Sequence, residues 1–285
     1  MTRRSVICVL FVACICFSFI NVHPVQADVE WSLINQIKLD VTPLDLASSP
    51  DGRWVYILGP GEIDVYSVFD GAVVKRIPIE RSCDKLVYSA QTNSLLVSSS
   101  SGKSIKIIHL ELISTFDFAG LASRGSANAP VTITVFSDYQ CSYCKTLFPV
   151  ITQVMEKYPN QVRVFAKNFP LPSHKFAQNA AMASLAAGLQ GKFWEFHDKL
   201  FENMNALDDA KVQQIARELS LDLDNFARDT KKQSLRDLIS RDVVEGNRAQ
   251  VEGTPTVFVN GKKLLNQTVQ GFQIGIDETL SKTRK

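Results

Sequence analysis

Val131-Thr132-Ile133-Thr134-Val135-Phe136-Ser137-Asp138-Tyr139-Gln140-Cys141-Ser142-Tyr143-Cys144 is the stretch on which the reading of this chain turns. Val131 to Phe136 is apolar, β-branched and aromatic, the pattern of a buried strand. Two cysteines three apart follow it, and helically spaced apolar residues then continue to about Tyr158. At a helix N-terminus the free N–H groups and the helix dipole favour negative charge. A thiol placed there ionises easily, and a thiolate is both the attacking and the leaving species in disulfide exchange. The expectation is redox chemistry on sulfur, carried by Cys141 and Cys144. Zinc is the competing use of such a pair. It needs two more ligands, and no second close cysteine pair or H-x3-5-H pattern occurs, so no metal is expected.

The first residues indicate a compartment. Arg3 and Arg4 precede an apolar run from Val6 to Ile20, and Val25-Gln26-Ala27 ends it with a small-residue pattern before Asp28. This reads as a secretory signal peptide over residues 1–27. An uncleaved anchor is the alternative, but the run is roughly 15 residues, short of the ~20 a spanning helix needs. Cys8, Cys14 and Cys16 lie in the leader, so the mature chain keeps Cys83, Cys141 and Cys144. Those are too few for a disulfide-stapled scaffold, whereas an exported chain with an isolated C-x-x-C suits a redox catalyst.

Charge and composition exclude more than they select. The net charge is +2, and loss of the two leader arginines leaves basic and acidic residues equal at 29 each. No Lys/Arg cluster stands out, so nucleic acid is not an expected partner. With 45% hydrophobic and 21% charged residues the composition is that of an ordinary globular protein, long enough for two domains.

Residues 28–118 read as a β-rich repeat domain. Short strands are expected at 54–58, 63–68, 73–77 and 95–97, separated by Pro50-Asp51-Gly52, Gly59-Pro60-Gly61, Asp70-Gly71 and Ser101-Gly102. A repeat of about 40 residues aligns Ser49–Tyr56 with Ser89–Leu96 and Ile63–Tyr66 with Ile105–Ile108. It starts a last strand of the second unit at Glu111-Leu112. The pattern resembles the four-stranded blades of β-propeller repeat proteins. Two blades cannot close a propeller, so the pair must pack on the other half, associate with another chain or form a small sheet domain.

Ser123 to Ala129 turns small and polar, as a linker or domain entry would. Beyond it strand and helix patterns alternate, which indicates an α/β fold. Val131 to Phe136, the helix from Cys141 and the strand Val162 to Phe169 make a βαβ unit. A helical block runs from about 173 to 246, with Ser173 as the expected N-cap of its first helix. Thr256 to Val259, the turn Asn260-Gly261 and Lys262 to Val269 read as a hairpin, and the last helix is expected from Phe272 to about Ser281.

Gly253-Thr254-Pro255-Thr256 lies just before that hairpin. Proline lacks an N–H and is tolerated at a strand start. A cis bond there would expose the Thr254 backbone, which could pair with an extended peptide as an added strand does.

C-x-x-C after a strand, with G-T-P-T-x-F-V-N-G more than 100 residues downstream, resembles the thioredoxin-fold disulfide oxidoreductases. Phe136–Cys141 and Gln190–His197 are similar to the DsbA-like branch, which carries a helical insertion. The resemblance implies a DsbA-like thioredoxin-fold domain over 119–285 with its insertion at about 173–246. The fold class is then α/β, a thioredoxin fold with a helical insertion, preceded by a smaller all-β domain. It implies Cys141 as nucleophile, Cys144 as resolving thiol, Pro255 as the cis-proline facing the sulfurs and Thr254 as the holder of substrate backbone. No cofactor is implied. Expected partners are cysteine-containing exported polypeptides and a membrane redox partner, in the periplasm or another exported compartment.

Ser142-Tyr143 departs from the Pro-His and Gly-Pro dipeptides of strong oxidants and reductants. Tyr143 supplies no positive charge, so less oxidising power is expected than in the strongest members. Tyrosine there is similar to some disulfide isomerases, which dimerise through an N-terminal module. A homo-oligomer, and an isomerase or reductase, are therefore alternatives to a net oxidase. A further one is a binding or scaffold protein acting through the β-repeat domain. Asp138 is read either as a turn residue or as an influence on proton transfer. Cys83 is read as a half-buried spacer, His174 and His197 as helix-surface or cap residues, and Phe193, Trp194, Phe196 and Phe201 as core.

Overall fold

The computed structural model of the chain describes residues 29–34 and 36–283. The expected signal peptide lies outside them. The residues up to Val41 form one unit and those from Thr42 onward a second. In the first unit no described residue belongs to a helix or strand.

The second unit opens with two antiparallel sheets. β1 (Asp45–Ser48), β2 (Trp54–Gly59), β3 (Glu62–Ser67) and β4 (Ala72–Pro78) form a four-stranded meander, and β5 (Lys85–Ser89), β6 (Ser94–Ser99) and β7 (Ser104–His109) a three-stranded one. Tyr56, Leu58, Ile63 and Val65 of the first sheet pack on Leu86, Leu95 and Val97 of the second. Cys83 is buried in the same core, so it is an interior residue and not the half-buried spacer expected. Burial of its small, weakly polar thiol needs no partner.

The strand expected from Glu111-Leu112 does not form on β7. Ile113 instead bridges Lys262, and the Ser114 N–H donates to the Gly261 carbonyl at 2.8 Å. Two terms divert the chain. Lys262 pairs with Glu111 at 2.6 Å, and the Phe116 ring enters an aromatic cluster, 5.3 Å from Phe136 and 5.0 Å from Phe258. Phe116 is partly buried there, and full burial of a phenyl ring is worth about 1.5–3 kcal/mol, so the cluster stabilises this path by some fraction of that.

The rest is a five-stranded mixed sheet in the order β12 (Lys262–Lys263), β11 (Thr256–Val259), β9 (Val131–Ser137), β10 (Val162–Asn168), β8 (Ser123–Gly125). β9 and β10 run parallel and are joined by α1 (Ser142–Lys157), the expected βαβ unit. Part of the expected linker is thus the edge strand β8, antiparallel to β10. Val131, Ile133 and Val135 face one core with α1 and the helical insertion, while Phe136 faces the other with Phe258, Ala249 and Val251. This alternation is the period of two that a strand covered on both faces requires.

The insertion comprises α2 (Ala177–Gly188), α3 (Phe193–Glu202), α4 (Asp209–Glu218), α5 (Leu223–Asp229) and α6 (Gln233–Arg248); α7 (Val269–Thr283) ends the fold. Asp208 caps α4 and Asp222 caps α5 through their carboxylates. Ser173 caps nothing. α2 starts at Ala177 without a side-chain cap of its own, and its Phe176 N–H donates to Gln140 Oε1. The expected strand from Lys262 to Val269 shortens to two residues, because Leu264 onward leads into α7.

On the α6 side of the sheet, Lys167 is wholly buried. Its ammonium meets Asp242 at 2.7 Å and Glu245 at 2.8 Å and donates to the Asp117 carbonyl. Burial pushes the Asp242 carboxyl up, against the pull of Lys167. α6 approaches the sheet at Gly246, where a Cβ would lie 2.7 Å from the Phe169 ring and 3.1 Å from Phe136.

Two stability outcomes follow. Lys167→Met strands two carboxylates in the interior and costs about 3–5 kcal/mol in urea unfolding; a loss under about 1 kcal/mol would mean that water reaches the cluster. Gly246→Ala forces the aromatic rings apart and costs about 1–3 kcal/mol in the same measurement.

Candidate active site

The site forms where β9 ends. The Asp138 carboxylate, buried, accepts from the Gln140 N–H at 2.7 Å and from the Leu171 N–H at 2.7 Å, and lies 2.8 Å from His174 Nδ1. The Asp138 carbonyl accepts from the Cys141 N–H. This turn delivers Cys141 to the N-cap position of α1. Cys144, one helical turn later, is fully buried, whereas Tyr143 between them is 75% exposed.

The other wall comes from β11. Its antiparallel pairing with β9 sets Thr256 opposite Phe136, so the residues before β11 lie beside the residues after β9. The Thr254–Pro255 bond is cis. Cys141 Sγ donates to the Thr254 carbonyl at 3.1 Å. Thr256 Oγ1 donates to the Gly253 carbonyl and Gln267 Nε2 to that of Pro255, which fixes the loop. Cys141, Cys144, Thr254 and Pro255 are thereby brought to one place from positions more than 100 residues apart.

The two thiols, both free, are driven in opposite directions. Cys141 is lowered from its ordinary 9.0 to about 5. The thiol hydrogen of Cys144 is the largest cause; Thr254 and the backbone amides of Cys144 and Tyr143 add to it and together outweigh burial. Thr254 Oγ1 is buried without a partner while Cys141 is protonated, and a Cys141 thiolate would supply the missing acceptor. Burial drives Cys144 strongly upward, and the adjacent Cys141 adds to that. The arrangement therefore favours ionisation of the sulfur at the helix end and retention of the proton on the sulfur behind it. Such a pair can attack a disulfide, or leave from one, at neutral pH.

Two features escaped the sequence reading. His174 is not a helix-surface residue but a partner of Asp138. The pointer available was its loop, Phe169 to Phe176, which leaves the strand parallel to β9. His197 is fully buried, with Nδ1 at 2.9 Å from Asp198 Oδ1 and its ring among Tyr139, Phe148, Trp194 and Phe201. Burial holds its imidazole below the ordinary range. Phe193, Phe196 and Phe201 are core, as their spacing indicated.

Comparison with known proteins bears on the same half. The thioredoxin family model matches residues 120–278. Na(+)/H(+) antiporter NhaA 3 of Salinispora tropica is 38% identical over 141 residues, which is 49% of this chain and 22% of the antiporter. NhaA 1 of Mycolicibacterium gilvum is 32% identical over 143 residues, 49% of this chain and 23% of that protein. The chain thus spans under a quarter of the length of these curated relatives. A thioredoxin-like oxidoreductase from Silicibacter pomeroyi superposes with a TM-score of 0.52 at 26% identity, covering 57% of this chain and 94% of that one. Oxidised BdbD from Bacillus subtilis superposes with a TM-score of 0.52 at 22% identity, covering 60% and 98%; that likeness is one of fold.

Titration of thiolate absorbance at about 240 nm in the reduced protein returns a Cys141 pKa near 5. Cys144→Ala and Thr254→Val each raise it, and a value at or above the ordinary one in wild type would remove the activated thiolate. Because folding lowers this pKa from 9.0 to about 5, the unfolded chain holds the proton more tightly in between. The thiolate's contribution to stability is complete above the unfolded value and is lost as pH falls through the folded one. The urea midpoint of reduced wild type therefore rises across that interval more steeply than that of Cys141→Ser.

Proposed function

Because the chain belongs to the thioredoxin family, we propose that it is an exported thiol–disulfide oxidoreductase acting on cysteines of other exported polypeptides through Cys141 and Cys144. The observation that carries this reading is the Cys141 thiol at the α1 N-terminus, 3.1 Å from the Thr254 carbonyl, with its pKa drawn down to about 5. The apolar leader with its Val25-Gln26-Ala27 end supports export.

In the oxidising direction a substrate thiolate attacks the Cys141 sulfur of the disulfide form. The S–S bond breaks and its electron pair goes to Cys144, which takes up a proton because its buried thiol strongly disfavours charge. The Cys141–substrate disulfide remains. A second substrate thiolate then attacks the substrate sulfur and releases Cys141 as a thiolate. Two electrons have entered the pair and the substrate holds a new disulfide. The low pKa of Cys141 makes it a good leaving group and stabilises the reduced form, which favours oxidation of the substrate. Thr254 would hold the substrate backbone as an added strand, with Pro255 beside the sulfurs. A membrane redox partner would withdraw the two electrons and restore the disulfide. The exposed Tyr143 supplies no cation to Cys141, which is consistent with oxidising power below that of the strongest relatives.

We read the two N-terminal sheets as propeller-blade-like repeats. The supporting facts are strands offset by about forty residues and sheets that bury opposite faces: Tyr56 and Leu58 are core in the first, whereas Leu95 and Val97, not Leu96 and Ser98, are core in the second.

Wild-type protein is expected to catalyse insulin reduction or reactivation of scrambled ribonuclease, and Cys141→Ser to lose that activity. Absence of catalysis by wild type in both assays would sink the enzymatic reading in favour of a binding role. Cys144→Ala accumulates mixed disulfides on Cys141 in exported extracts, detected as reductant-sensitive adducts; a clean extract would count against a general oxidase.

A further inference from the structure

The second N-terminal sheet lacks the outer strand that the first possesses. β4 pairs on β3, but β7 has no strand on its far side among the described residues. The chain that should supply one leaves after Leu110 for the edge of the five-stranded sheet. Ile105 and Ile107 of β7 are each 71% exposed. A free strand edge with apolar side chains is a template for another strand.

A matching strand exists in the sequence. Residues 32–40 read Ser-Leu-Ile-Asn-Gln-Ile-Lys-Leu-Asp, and residues 72–80 read Ala-Val-Val-Lys-Arg-Ile-Pro-Ile-Glu. Leu33, Ile34, Ile37, Leu39 and Asp40 fall on Val73, Val74, Ile77, Ile79 and Glu80. The latter set belongs to β4 and its continuation, with Ile77 and Ile79 packed against the core between the sheets. The offset of forty is the one that separates β1 from β5 and β2 from β6. Leu33 and Ile34 are 75% and 96% exposed.

The order of the repeat decides which sheet this strand completes. Ala47 and Tyr56 of the first sheet face the second, whereas Val87 and Leu96, forty residues on, point away from the first. Each sheet therefore meets its successor with one face and its predecessor with the other. An outer strand leads into the first strand of the next sheet, as β4 leads into β5. Residues 32–40 lead into β1, so they correspond to the outer strand of a sheet preceding the first. The second sheet of the same chain follows the first, on the opposite side. A sheet that both precedes and lacks its outer strand is the second sheet of another copy.

We propose that residues 32–40 of one copy add to β7 of a second copy as its fourth strand. The contact is head-to-tail, because strand donor and acceptor edge are different surfaces, and such contacts give a closed ring when the rotation between copies closes. Propellers close at about four to eight blades, so two sheets per copy correspond to about two to four copies.

Sedimentation equilibrium of the full chain should give about two to four times the chain mass. Ile37→Asp, which leaves the donor strand unfit, and Ile107→Asp, which leaves the edge unfit, should each sediment as a monomer. An equimolar mixture should recover a dimer, since the intact donor of one variant meets the intact edge of the other. Amide exchange at Ile105 and Ile107 should be about tenfold or more faster in Ile37→Asp than in wild type. That substitution lies outside every core of the folded body, so the comparison does not depend on the β7 variant folding. A monomeric wild type, assembly indifferent to Ile37→Asp, unchanged exchange at β7, or a mixture that stays monomeric would each overturn the proposal.

Discussion

The pairing of β11 on β9 is the constraint from which the site follows. Strand neighbours lie about 4.8 Å apart, so a register with Thr256 opposite Phe136 leaves the preceding loop no place but beside the start of α1. Without it, Cys141 would be a helix-end thiol facing solvent. With it, the sulfur acquires the Thr254 carbonyl and hydroxyl as neighbours and loses water. The register is itself enforced by the alternation of the strands, since a slip of one residue would turn Phe136 and Phe258 out of their aromatic cluster and Val257 out of the main core.

The central sheet buries charge in two ways on its two faces. On the α6 side, Lys167 is neutralised by Asp242 and Glu245 in fixed ion pairs. On the α1 side, the potential charge of Cys141 is held by a thiol, a hydroxyl and backbone amides, with no cation among the described groups that chiefly stabilise it. Dipoles stabilise the thiolate without locking it into a salt bridge, which keeps the sulfur available as a nucleophile and as a leaving group. Asp138 belongs to the same economy. Its carboxylate is consumed in orienting the Gln140, Leu171 and His174 donors, and so ties the turn under Cys141 to the loop that opens the helical insertion.

The N-terminal sheets reach the site indirectly. Asp51, in the turn between β1 and β2, accepts from Gln250, and Asp70 pairs with Arg248. Both partners end α6 or follow it directly, a few residues before Thr254. Exposed contacts of this kind are worth about 0–1 kcal/mol each, enough to bias the loop but not to build it. The diversion of residues 110–116 on to β12 is the stronger tie, because it packs Phe116 into the aromatic cluster and occupies the sheet edge. That same diversion leaves β7 bare, so one choice of path joins the two halves of the chain and opens the second sheet.

What the amino-acid order determined unaided was local. The run Val131 to Phe136, the C-x-x-C at a helix start, the Thr-Pro before a strand and the forty-residue repeat are each patterns of near neighbours, and the elements formed close to where they read. Contacts between distant segments were decided only by the tertiary structure. Ser173 looked like a cap until Gln140 took the Phe176 amide, and His197 looked like a surface residue until aromatic side chains from the C-x-x-C turn, α1 and its own helix closed around it. Cys83 turned out to be interior, and Glu111 to Phe116 left their sheet for an ion pair with Lys262 and an aromatic cluster that joins Phe136 to Phe258. Periodicity reports which face of an element is apolar, but not what comes to cover that face; that depends on which of several apolar surfaces buries the most area once the whole chain has folded.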